Sequence, residues 1–262
     1  MRRVPCWVAA AVVAAAAAGA CSDVGTSPDA IVALAFDTLP YPAVVAGDTM
    51  RDSMGRAAPL RAVAYNADGD VIANPALRYL ALDTGVLIDA AGYLVATTRT
   101  SGSVRVVAAA RALQSLTRTV IVTRAPSLFA VSGSATDTVK YALPDLPTNV
   151  SKAMTVKLTR DSAGTTLGVP GFLVSWQVTF HGVTVERSDT TLASLWDDAR
   201  HTSLLDTTFT DGTAARMLRI RSNTLPSSAD SFVVFATARH RGAVVAGSPA
   251  RFVIHFRPKS AR

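Results

Sequence analysis

The residues of this 262-residue chain whose types and spacing could do chemistry are few, and they fall into four groups. The first is a thiol. Cys21 follows the uncharged run Val4–Ala20, and the only other cysteine, Cys6, lies inside that run. If the run is removed, Cys21 has no intramolecular partner, and a lone thiol in an oxidising compartment is a liability unless it is modified. The second group is the histidines, His181, His201, His240 and His255. A metal site needs ligands converging at about 2 Å, and His-x-x-x-His, Cys-x-x-Cys and His-Glu-x-x-His spacings are all missing, so none of the four reads as a ligand. His255 sits between Ile254 and Phe256, on the face opposite Phe252 and Phe256 and toward solvent. The third group is acidic. In Asn66-x-Asp68-Gly69-Asp70, alternate oxygens could converge on calcium, but the twelve-residue loop and its terminal glutamate are missing, and turn chemistry accounts for every residue. Asp197-Asp198 with His201 reads as a solvated loop. The last group is the indoles. Trp176 alternates with Val174 and Val178, as an inward core residue would. Trp196 lies among Leu195, Asp197 and Asp198 in a loop-like stretch, where it either packs or stacks on a sugar or a partner.

Catalytic patterns do not emerge. There is no Gly-x-Ser-x-Gly elbow and no phosphate-binding glycine loop. Glycosidase carboxylates are placed by fold rather than spacing, but Glu186 is the only glutamate in the chain. No enzyme activity and no cofactor are expected. The formal charge of +7 is spread along the strands without a dense basic run or interleaved aromatics, which excludes a nucleic-acid partner.

The N-terminus has the order of an export signal: Arg2-Arg3, an Ala/Val-rich run, then Ala18-Gly19-Ala20 before Cys21. The run is shorter than the roughly 20 residues a membrane-spanning helix needs. Small residues directly before cysteine resemble the lipobox of bacterial lipoproteins. That resemblance implies removal of residues 1–20, a diacylglycerol on the Cys21 thiol, and a membrane as the first partner. Ser22 in the next position implies the outer membrane or cell surface. Residues 21–28 are small and polar, a tether between lipid and fold.

Beyond the tether, short Val/Thr/aromatic runs alternate with turn residues. Ile31–Phe36, Leu60–Tyr65, Leu77–Leu82, Val86–Asp89, Tyr93–Thr97, Ser103–Ala109 and Thr117–Thr123 read as strands of one β-sandwich, residues 29–124. After Ala125-Pro126, Leu128–Val131, Thr138–Tyr141, Met154–Leu158, Leu173–Phe180, Ala214–Ile220, Ser231–Ala238 and Arg251–Phe256 read as strands of a second, residues 126–258. Thr191–Leu205 is either a helix or an irregular loop. The fold class is all-β, two tandem sandwiches.

The first sandwich resembles the bacterial Ig-like domains of the second Big family. The resemblance lies in Val45-Ala46-Gly47-Asp48-Thr49, Ala62–Gly69, Tyr79-Leu80-Ala81-Leu82-Asp83 and Val86–Ala96, with Tyr79 where tryptophan is usual. The second resembles invasin-type Ig-like repeats, through Val156–Gly164, Gly168–Trp176, Thr210–Ala214 and Phe232–Ala238. The resemblance implies adhesion, display or scaffolding without catalysis. A carbohydrate- or peptidoglycan-binding lipoprotein is the alternative, with Trp196 as a platform joined by Tyr93 or Tyr141 and an envelope polysaccharide or protein as partner.

Overall fold

The computed structural model describes residues 30–185, 192–221, 225 and 229–259, and every described element is a strand. Residues 1–20, Cys21, the tether and Glu186 lie outside the described residues.

The first sandwich contains β1 (Ala33–Phe36), β2 (Ala43–Val45), β3 (Ala62–Tyr65), β4 (Arg78–Ala81), β5 (Val86–Ile88), β6 (Leu94–Ala96), β7 (Gly102–Ala110), β8 (Leu113–Gln114) and β9 (Arg118–Thr123). One sheet runs β2-β9-β7-β4, with β8 hooked onto β7; the β1-β3 and β5-β6 pairs face it. Alternation places Val104, Val106 and Ala108 of β7 and Val120 and Val122 of β9 in the core, against Phe36, Met50 and Leu94. Burying each large side chain contributes about 1.5–3 kcal/mol. Tyr79 packs on this core edge-on to Phe36, with ring centroids 5.8 Å apart.

The second sandwich contains β10 (Leu128–Val131), β11 (Thr136–Tyr141), β12 (Met154–Ser162), β13 (Thr165–Gly168), β14 (Leu173–Phe180), β15 (Val183–Val185), β16 (Ala193–Trp196), β17 (Leu205–Thr207), β18 (Thr213–Ile220), β19 (Asp230–His240), β20 (Ala243–Val244) and β21 (Ala250–Pro258). Its sheets are β10-β12-β18-β16 and β11-β21-β19-β14-β15. The first strand of each sandwich is split between sheets. β1 and β10 pair antiparallel with β3 and β12, while β2 and β11 cross over and lie parallel to the last strands, β9 and β21. In immunoglobulin lettering the second sandwich reads A-B-E-D against A′-G-F-C-C′, so the fold is all-β and Ig-like.

Two expectations are corrected. Thr191–Leu205 is not helical in its described part: Ala193–Trp196 is β16, paired with Met217–Ile220 of β18. Leu195 faces the core, a period-2 signal too short to stand out in sequence. Tyr141 cannot serve a surface platform, because its ring is buried against Phe256, with centroids 6.2 Å apart.

Candidate functional site

Most sequence candidates resolve into packing or turn chemistry. Trp176 is a core residue stacked near Phe252 at 6.0 Å, and His255 is exposed on the outer face of β21. Asn66 Oδ1 accepts the backbone N–H groups of Asp68 and Asp70, and Gly69 takes φ +84°, closing the turn. Asp89 and Asp52 bind the N–H groups two and four residues ahead in the same way. These side-chain oxygens mimic a backbone acceptor, which explains the Asx residues without a cation. Among the described residues no group of three His, Cys, Asp or Glu side chains is arranged to hold a metal.

Trp196 ends β16 half-buried, on the outer face of the β10-β12-β18-β16 sheet. The guanidinium of Arg219 lies 5.7 Å from its ring centroid. That arginine is itself only 3% exposed and is neutralised by Asp145, with Nη2 to Oδ2 at 2.7 Å. Packing therefore takes part of the indole, and the rest lines a groove with Met217, Asp197, Asp198, Asp206 and Phe209. Sequence reasoning missed Phe209, which is 60% exposed, because a single aromatic in a Thr/Asp-rich loop carries no pattern. Tyr93 is half-buried in the other sandwich and does not line this groove.

Beneath the groove, Asp206 Oδ2 accepts the Ala215 N–H at 3.0 Å and pairs with Arg216 Nη1 at 2.8 Å. Arg216 stands on β18 between the core residues Ala214 and Leu218, and its guanidinium also donates to the carbonyls of Ser203, Leu205 and Ala215.

The second constellation joins the sandwiches. Tyr41 and Val45 of the first sandwich pack on the core of the second, and Tyr41 Oη accepts the Leu173 N–H at 2.8 Å. Burial pushes the Tyr41 phenol up to about 12, against a smaller opposing effect of that donor. Asp48 accepts Arg51 Nε at 3.0 Å, Arg241 Nε at 2.9 Å and the Thr49 N–H at 2.8 Å. Burial alone would raise the Asp48 carboxyl, but these donors hold it well below the usual carboxylate range. His240 lies edge-on to Phe172 with centroids 6.0 Å apart, and its Nε2 is buried with no hydrogen bond among the described residues. Nearby, the Gly55 and Gly242 backbones touch: a Cβ on Gly55 would fall 2.1 Å from the Gly242 nitrogen, and φ at Gly55 is +83°.

No family model matches the chain, and no curated protein matches it. Among solved structures it is similar to the adhesin InvE of Yersinia pseudotuberculosis, at 13% identity over 88% of this chain and 61% of that one, with a TM-score of 0.33. It is also similar to the Escherichia coli adhesin FdeC (15% identity, 87% and 64% covered, TM-score 0.28) and to mouse cadherin-23 (10%, 87% and 65%, 0.27). The chain thus spans less than two thirds of the length of these proteins. Similarity this distant adds nothing to the Ig-like assignment, which rests on the strand order.

Proposed function

We propose that the chain is a lipid-anchored cell-envelope protein whose two Ig-like modules, the first of the second Big type and the second invasin-like, act in adhesion, display or scaffolding. The observation that carries this reading is the placement of the two ends of β7. Gly102 of β7 pairs with Val122, beside the Ala43–Val45 strand that meets the second sandwich, while Ala110 lies at the opposite end beside Ala30–Val32, where the tether enters. Nine strand residues separate these ends by about 26 Å. With the end that carries Ala30–Val32 toward the membrane, a chain anchored at Cys21 holds its second module away from it. The test is Cys21→Ala in the native host. The unaltered chain should show a mature mass carrying diacylglycerol on Cys21 and should stay with membranes, whereas the variant should leave the membrane fraction. An unmodified Cys21 in the mature protein would refute the anchor.

The groove of Trp196 and Phe209 favours a second reading, in which the projected module binds an envelope polysaccharide. Two aromatic faces flanked by carboxylates present both a stacking surface and hydroxyl acceptors. A glycan and peptidoglycan binding screen should then show binding that Phe209→Ala or Trp196→Ala weakens at least several-fold. Binding unchanged in both variants would sink this reading.

A further inference from the structure

The end of the first module at which the tether enters is unusually apolar. Ile31, Val32, Ile72, Pro75, Ala112 and Leu113 line an open groove there, formed by the chain entry, the β3–β4 connection and the β7–β8 turn. Val71, next to Ile72 in the chain, is 64% exposed. Water-exposed apolar residues grouped at one pole mark a surface that something covers, whereas scattered ones would need no explanation. The charges around this pole are mixed: Arg111 lines the groove, and Asp68 and Asp70 stand in the adjoining turn. An electrostatic partner is therefore not favoured.

The tether decides the occupant. Nine residue steps separate Cys21 from Ala30, a reach of at most about 32 Å. With the pole toward the bilayer, the tether is slack and the apolar groove meets the lipid surface. With the module inverted, the tether would have to run back about 26 Å along β7, consuming nearly all of its length.

We infer that this pole, through Val32, Ile72, Ala112 and Leu113, seats on the bilayer surface that holds Cys21, and so fixes the orientation of both modules. The inference rests on the lipid-anchor reading. The acyl chains provide the attachment; the apolar pole adds a second, shallow contact that selects which end faces the membrane.

The experiment uses the full lipidated chain purified from its host and placed on vesicles of equal parts phosphatidylethanolamine and phosphatidylglycerol. Acylation occupies Cys21, so a cysteine introduced by Ala112→Cys is the one free thiol for an environment-sensitive fluorophore. Val183→Cys, exposed in the second module, is the control. The expected result is a blue shift of the label at position 112 on vesicles and none at position 183. Adding Val32→Asp and Leu113→Asp should abolish the shift while the acylated mass, membrane fraction and thermal unfolding stay unchanged. Three results would overturn the inference. Absence of a shift on a protein whose mass shows acylation removes the seating alone. A shift that is already present without vesicles assigns the pole to a second copy of the chain. An unmodified Cys21 removes the anchor reading and the seating with it.

Discussion

Asp48 of the first sandwich accepts the Nε–H of Arg241 from the second at 2.9 Å while Arg51 of its own sandwich donates to the same carboxylate. One buried acid thus ties two backbones that already touch at Gly55 and Gly242. A junction with direct core packing by Tyr41 and Val45 is more restrictive than a flexible linker, and the modules should unfold together. Asp48→Ala should split a single thermal transition into two. The loss is about 1–2 kcal/mol rather than more, because Arg241 is over half exposed and its bond is screened. Calorimetry checks this; a single unsplit transition in the variant would show that the carboxylate does not couple the modules. Gly55→Ala tests the backbone contact separately and should split the transition more strongly, since the new Cβ has no room.

The same junction predicts a pH dependence. Burial, and next the Arg241 charge, push the His240 imidazole below its ordinary value; Asp48 opposes and Arg51 reinforces. The folded chain therefore favours the neutral ring, while the unfolded chain takes up a proton as pH falls below about 6.5. The unfolded state then binds more protons, so stability is complete above about pH 6.5 and declines as pH falls from there toward the folded value. Asp48 acts in a more acidic window. Its folded value is depressed, so its contribution is present above about pH 4 and is lost as pH falls further. Denaturant midpoints measured from pH 8 to pH 5 should decline in the unaltered chain and flatten in His240→Gln. Equal slopes in the two proteins would remove His240 from the account.

Arg216 predicts a larger effect. It occupies an inward β18 position between Ala214 and Leu218, is only 6% exposed, and is neutralised by Asp206. Asp206→Ala leaves a buried guanidinium without its counter-charge, which costs about 3–5 kcal/mol. Arg216→Met placed on the same background should recover most of that loss, because it removes the stranded charge and keeps an apolar stem. A denaturant titration of the single and double variants decides it. If Asp206→Ala is nearly neutral, the guanidinium reaches solvent through the groove above it.

The strands that form the cores were legible because their alternation is long. Leu173–Phe180 is β14 as expected, and Ser103–Ala109 and Ala214–Ile220 fall within one residue of the ends of β7 and β18. Short edge strands such as Ala43–Val45, Val183–Val185 and Ala193–Trp196 carry three or four residues, too few to display a period. The candidate sites were less legible for a different reason. Trp196 was visible as an isolated aromatic, but Phe209, Met217 and Asp206 join it only through pairing of β16 with β18 and the chain's return through β17. The junction was invisible, since Asp48 and Arg241 are 193 residues apart. No local pattern marks a carboxylate that will meet an arginine from another module.

The turn beside Trp196 supplies the last prediction. Asp197 Oδ1 accepts the His201 N–H at 2.7 Å, the same four-residue reach that Asn66 and Asp89 make, but Arg200 stands where those turns carry glycine. Arg200 takes φ +66°, a left-handed conformation in which its Cβ crowds the backbone. Glycine removes that crowding but adds freedom to the unfolded chain, so the two effects partly cancel. Arg200→Gly should stabilise the second module by roughly 0.5–1 kcal/mol, read as a raised unfolding midpoint. It also removes a positive charge beside Asp197 and Asp198. A destabilised Arg200→Gly would mean that the arginine side chain makes a contact worth more than the strain it imposes, and the groove's rim would then have to be redrawn around it.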